Sequence, residues 1–163
     1  MKKIKINIIG SIFGSSGYDS HCRSLANALY KVADCKLTTQ IPDANWVKHV
    51  NDAEMDMIKK QREKNDWNII VAMPHQWKMF TGLGKNAGYC VWEGDRCPSS
   101  WCEEFNNNKI NLIFTPSTHT KNAMLKTINE SKLLKEEKET IINKIHIIPH
   151  GVDRKIFFKK NGI

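Results

Sequence analysis

The feature that most constrains this chain is an alternation. Short apolar, β-branched runs stop at Gly, Pro or polar residues, and segments with helical spacing follow them. Ile4–Ile9 reads as a buried strand, followed by a Gly/Ser loop from Gly10 to Gly17. Ser20–Val32 carries Leu25, Ala28, Leu29 and Val32 at helical spacing, and Cys35–Thr39 reads as a second strand. Glu54–Lys64 predicts a helix, with Met55, Ile58 and Gln61 spaced by three, and Asn68–Met73 a strand ended by Pro74. A strand over Ala87–Trp92, a short helix around Pro98–Phe105 and a strand over Lys109–Thr115 come next. Ser117 is placed to cap a helix running through Asn122 to Ile128, and a charged helix over Lys132–Asn143 leads to a last strand, Ile145–Ile148, stopped by Pro149.

Strands joined by helices imply parallel pairing. The expected fold class is therefore α/β, a Rossmann-like doubly wound parallel sheet flanked by helices. Ligands of such sheets bind beyond the carboxyl ends of the strands. That rule singles out the polar residues after each strand: Gly14–Ser20, Pro74–Trp77, Glu93–Arg96, Pro116–Asn122 and His150–Asp153.

At 163 residues the chain has the length of one domain. Residues 1–150 are expected to form it, and 151–163 to begin a linker or tail. The charge sum, 25 bases against 17 acids, gives +8 and permits anionic partners. The bases are interleaved with acids, four of each between Glu54 and Asp66, and no nucleic-acid motif is present, so a nucleic-acid partner is not expected. Five cysteines are an odd number, and the spacing of Cys90, Cys97 and Cys102 matches no common zinc pattern. They read as reduced thiols of a cytoplasmic protein. No stretch approaches the roughly 20 apolar residues of a membrane span. The opening MKKIKINIIG reads as a first strand, without a visible secretory signal.

Four segments could carry chemistry. In GSIFGSSGYDSH the glycines at 10, 14 and 17 could let a ligand approach the backbone at a helix N-terminus, or could simply serve a tight turn. Their spacing is neither the dinucleotide fingerprint nor a P-loop. In GYCVWEGDRCPSSW, Glu93, Asp95 and Arg96 could supply a general base and an anion or hydroxyl clamp. The alternative there is a salt-bridged loop with the Trp residues filling the core. In IFTPSTHTKNA, His119 and Lys121 could face a ligand across the first helical turn, or lie on the surface. In IIPHGVDRKIF, Pro149 and Gly151 mark a turn that ends the sheet.

Taken in order, the Gly/Ser loop with its SLANAL helix, then GYxxWExDRxPxxW, TPSxHTKNA and IIPHGVDxxxF resemble the N-terminal half of GT-B glycosyltransferases, and more narrowly the family 4 group. The likeness runs from about Ile4 to Phe157, loosely between Thr39 and Trp67. The resemblance implies the acceptor-side lobe of a retaining transferase, moving a sugar from a nucleotide-sugar donor to a glycan or lipid-linked acceptor. The donor-binding lobe, with its Glu-x7-Glu element, would lie outside these residues, so 1–163 alone would be catalytically silent. By the same resemblance Gly14, Ser15, Ser16 and Gly17 would line the cleft beside the donor phosphates, and Tyr18 and His21 would border the acceptor. Glu93 takes the place where many relatives carry a His against the reacting sugar, and would orient a hydroxyl as the catalytic candidate. Asp95 and Arg96 would shape the acceptor site, His75 the neighbouring loop, and His119, Lys121 and Asn122 the rest of the cleft. No metal or resident cofactor is implied; the donor is a co-substrate. Cytoplasmic location, with peripheral membrane contact through the positive balance, completes the expectation. A non-catalytic α/β module binding a sugar or a partner is the alternative.

Overall fold

The computed structural model describes residues 2–39 and 49–151. The expected linker from 152 onward and the segment 40–48 lie outside the described residues. Among these residues six strands form one sheet: β1 (Lys5–Gly10), β2 (Asp34–Thr38), β3 (Trp67–Val71), β4 (Lys85–Tyr89), β5 (Leu112–Thr115) and β6 (Ile145–Ile147). All pair in parallel, in the order β2-β1-β3-β4-β5-β6. The fold is thus α/β and Rossmann-like. The connections reverse direction between β1 and β3, the topological switch point of such sheets.

Among the described residues six helices attend the sheet: α1 (Gly17–Tyr30), α2 (Asp52–Lys59), α3 (Trp77–Phe80), α4 (Trp101–Phe105), α5 (Thr118–Glu130) and α6 (Lys135–Lys144). Successive side chains of a strand point to opposite faces, so each central strand feeds two cores. Ile8, Leu37, Ile69, Val71 and Tyr89 pack with Cys22 and Ala26 of α1 and Met57 of α2. Ile9, Ile70 and Ile113 pack on the other face with Trp77, Trp101, Phe105 and the α5 residues Ala123, Met124 and Ile128. The buried positions of α5, Thr120, Ala123, Met124, Thr127 and Ile128, repeat at helical spacing.

β4 covers Lys85–Tyr89 where Ala87–Trp92 was expected, so Glu93 lies four residues past the strand rather than directly after it, and β5 starts at Leu112 rather than Lys109. Three further elements differ more in kind. Helix α1 starts at Gly17 rather than Ser20, because Ser16 and Asp19 form a capping box with Asp in the place usually held by Glu or Gln. Val32, expected on its inner face, lies past its end and is 72% exposed. Helix α2 buries Glu54 and Met57, not a Met55–Ile58–Gln61 stripe. It ends at Lys59, after which Lys60 and Arg62 pair with Asp34. Finally, Pro74 opens a 3-10 turn that runs into α3, where a loop was expected, and Trp77 is fully buried against Gly88 of β4.

The amino half of the sheet is locked by asparagines. Asn7, Asn68 and Asn86 sit side by side in register on β1, β3 and β4. Thr38 donates to the Asn7 side-chain oxygen (2.8 Å), and Asn68 donates to that of Asn86 (3.1 Å) and to the Leu83 carbonyl (3.2 Å). Asn86 accepts from the Gly82 N–H (3.0 Å) and donates to the Lys109 carbonyl (3.2 Å), while Asn111 accepts from the Asn86 N–H (2.8 Å). Gly84 makes the turn into β4 at φ 103°, where a side chain would strike the Asn65 carbonyl.

Candidate functional site

At the carboxyl ends of β3 and β4 a cavity of about 600 Å³ opens. Gly17 and Tyr18 reach it from α1, Met73 from the end of β3, Val91 to Gly94 from the end of β4, and His150 from the segment after β6. Ligand pockets of this kind span about 300–1,000 Å³ and combine apolar walls with a few convergent polar groups. Here Met73, Val91 and Trp92 form the walls, and Glu93 and His150 supply the titratable groups.

Each lining group is positioned from below. The Tyr18 hydroxyl donates to the Val91 carbonyl (3.1 Å) and accepts from the Val91 N–H (3.2 Å), tying α1 to the strand that delivers Glu93. Burial, with the neighbouring Cys90, pushes that phenol up to about 12, so Tyr18 stays a neutral hydrogen-bonding strut. The exposed His119 ring sits with Nε2 at 2.9 Å from the Glu93 carbonyl, and Thr120 donates to the Trp92 carbonyl at 2.9 Å. The first turn of α5, capped by Ser117, thereby holds the Glu93 backbone. The His21 ring packs, tilted, against both Tyr89 (4.2 Å between ring centroids) and His150 (4.1 Å), and Tyr89 donates to the Ile148 carbonyl at 2.5 Å. Burial and the adjacent His150 lower His21 to about 4, and burial lowers His150 as well. Both imidazoles are neutral at pH 7.

The Gly/Ser loop is built around a carboxylate. Asp19 is buried and receives hydrogen bonds from the hydroxyls of Ser11 and Ser16 and from the Ser16 N–H (3.1 Å). Burial alone would raise its pKa; the serine hydrogen bonds and the charge of Arg23 outweigh this and lower it. A Cβ on Gly14 would meet that carboxylate at 2.6 Å, whereas one on Gly17 would meet nothing within 4 Å. Gly14 makes room for Asp19. Gly17 leaves the cavity open. The first turn of α1 thus already carries an internal anion, which weakens its attraction for a phosphate at Ser16.

Of the residues singled out by sequence, Gly17, Tyr18 and Glu93 meet at the cavity, and His21 backs it through His150. Ser15 and Ser16 are exposed on the rim of the loop. Asp95 and Arg96 turn to α5 instead: Arg96 makes a two-pronged pair with Glu130 (2.8 and 3.0 Å), and Asp95 sits 3.5 Å from Lys126. This is the geometry of the salt-bridged-loop alternative. Lys121 donates to the Ile145 carbonyl at 3.4 Å and steadies β6, while Asn122 is exposed on α5 and His75 is exposed in the 3-10 turn after β3. Sequence reasoning marked Asp19 and His150 only as members of the polar segments after strands, with no role of their own, and read Trp92 as core filling. Position gave the available signal for His150, which follows Pro149 at the end of the last strand.

Cavities of about 590 and 640 Å³ also open over the amino half of the sheet, by Lys36, Arg62 and Asn68 and by Gly82, Asn86 and Asn111. Several of their polar side chains are already engaged: Lys36 donates to the Arg62 carbonyl (3.1 Å), Arg62 pairs with Asp34, and Asn68, Asn86 and Asn111 bond as above. No described helix is long and apolar enough to cross a membrane. All five cysteines are free and buried. Comparison with protein-family models, with curated proteins and with solved structures finds no match to this chain.

Proposed function

We propose that this chain is the acceptor-side lobe of a GT-B, family 4 glycosyltransferase, transferring a sugar with retention from a nucleotide-sugar donor to a sugar-bearing acceptor. The observation that carries the reading is convergence. Three of the segments behind the resemblance, distant in sequence, contribute Gly17 and Tyr18, then Glu93 and Gly94, then His150 to one cavity at the carboxyl edge. Glu93, exposed at the cavity and held by its backbone to His119, is suited to accept a hydrogen bond from a sugar hydroxyl. Trp92 and Met73 offer the apolar wall on which the less polar face of a sugar ring rests. Neutral His150 can donate or accept beside them. The leaving nucleoside diphosphate would be stabilised by the other lobe. Asp95, Arg96 and His119 act by fixing the loop that presents Glu93, and Lys121 by steadying the strand that leads to His150. The free thiols agree with a reducing, cytoplasmic location.

The test is transfer by the protein expressed at the length its gene encodes, offered a panel of nucleotide sugars and hexoside acceptors, with products read by mass spectrometry. Transfer with retained anomeric configuration is expected, and Glu93→Gln should lower kcat/KM about 100-fold with an unchanged Tm. Acceptor binding at the cavity with no donor consumed would instead make the chain a non-catalytic sugar-binding module.

A further inference from the structure

A second cavity of about 410 Å³ lies beside the first, at the switch point between the carboxyl ends of β1 and β3. Its character differs. Ile9, Val71, Ala72 and Phe80 make its walls largely apolar, where the first cavity has Glu93 and His150. The two share Tyr18 and Met73, whose hydroxyl and sulfur are 3.5 Å apart and form a common sill. A ligand that spans the sill places one end against carboxylate and imidazole and the other against hydrocarbon. Thr39 lines the apolar cavity, and its buried hydroxyl has no hydrogen-bond partner.

Resting on the reading above, we propose that this cavity takes the apolar aglycone of the acceptor, so that the acceptor is an amphipathic glycoside rather than a free sugar or a wholly polar glycan. The sugar occupies the Glu93 cavity, and the aglycone crosses the Tyr18–Met73 sill onto Ile9, Val71, Ala72 and Phe80. Burying hydrocarbon there removes both surfaces from water, which favours the longer aglycone.

The experiment is an amide-shift titration of the ¹⁵N-labelled chain with matched methyl, hexyl and phenyl hexosides of glucose, galactose and mannose, all kept below micelle formation. The hexyl or phenyl member should bind at least about tenfold tighter than its methyl partner. Its additional shifts should fall on Val71, Ala72 and Thr39. Ala72→Leu should cut that preference to less than about threefold by filling the cavity. The shift map on the unaltered chain decides the matter even if the variant folds poorly. Preference for hexyl points to a lipid-like chain, and preference for phenyl to an aryl group. Equal binding of methyl and hexyl members, with shifts at Gly17 and Glu93, would overturn the aglycone site and leave the sugar site standing. Hexanol matching the hexyl hexosides with no shift at Glu93 would overturn it too. No shift with any hexoside would sink both readings.

Discussion

The two ends of one sheet are built to different rules. At the amino end, side-chain amides of Asn68 and Asn86 spend their donors and acceptors on one another and on loop carbonyls. At the carboxyl end hydrogen-bonding capacity is left over. Among the described residues, four buried side-chain polar atoms lack a partner: His21 Nε2, Thr39 Oγ1, Thr115 Oγ1 and Glu104 Oε2. The first three belong to that edge: Thr39 follows β2, Thr115 ends β5, and His21 packs on Tyr89, which ends β4. Buried polar groups in folded proteins are nearly always paired. A concentration of unpaired ones at one edge marks where the molecule is not optimised for its own stability. The cavities holding Glu93 and Thr39 open there.

The sharpest way to break this contrast is to cut the amino end. Asn86→Ala removes an acceptor for Asn68 and Gly82 and a donor to Lys109, and should cost about 3 kcal/mol in urea unfolding. Hexoside affinity at the carboxyl edge should stay within about twofold. A large loss of affinity would mean that the two ends are not independent.

Two glycines of one loop sharpen it further. Gly14→Ala drives a methyl group into the Asp19 carboxylate and should destabilise by about 2 kcal/mol. Gly17→Ala meets open space and opens α1, so it should stabilise by about 0.5 kcal/mol while narrowing the cavity and weakening ligand binding. Opposite signs of stability change in thermal unfolding are the expected result.

Acid probes the unpaired imidazole. His21 has a folded-state pKa near 4 against an ordinary value of 6.5, so the unfolded chain takes up a proton that the folded chain refuses. Its contribution is fully present above pH 6.5 and is lost as the pH falls toward 4. His150 acts in the same direction. Discounted for the partial exposure of the ring to solvent, the loss from His21 should be on the order of 2 kcal/mol by pH 4, and His21→Phe, which keeps the ring contacts, should flatten it. Asp19, with its lowered pKa, adds a separate loss as the pH falls through and below the ordinary carboxylate range, which the His21 variant leaves intact.

Much of the fold was legible because β1, β3, β5 and β6 are rich in β-branched residues and are followed closely by Gly or Pro, whereas β4, KNAGY, has none and was placed two residues late. The start of α1 was not legible, since Asp19 replaces the usual Glu or Gln of a capping box. The short α3 escaped because four residues show no periodicity, and Trp77 declares itself only by packing on Gly88. In the site, Glu93 could be picked out by its place after a strand. The roles of Gly14 and Gly17 could not be separated, because spacing does not say which glycine faces a neighbour and which faces space. Nor could His21 and His150 be paired, since their ring contact depends on the register of α1 against the end of the sheet.

The central claim, that the carboxyl edge is where this molecule meets its ligand, is tested most directly by mapping amide shifts on the ¹⁵N-labelled chain as hexosides are added. The account predicts shifts at Gly17, Met73 and Glu93, with Asn68, Asn86 and Lys36 unmoved. Shifts clustered at Lys36, Arg62 and Asn68, over the amino-half cavity, would contradict it.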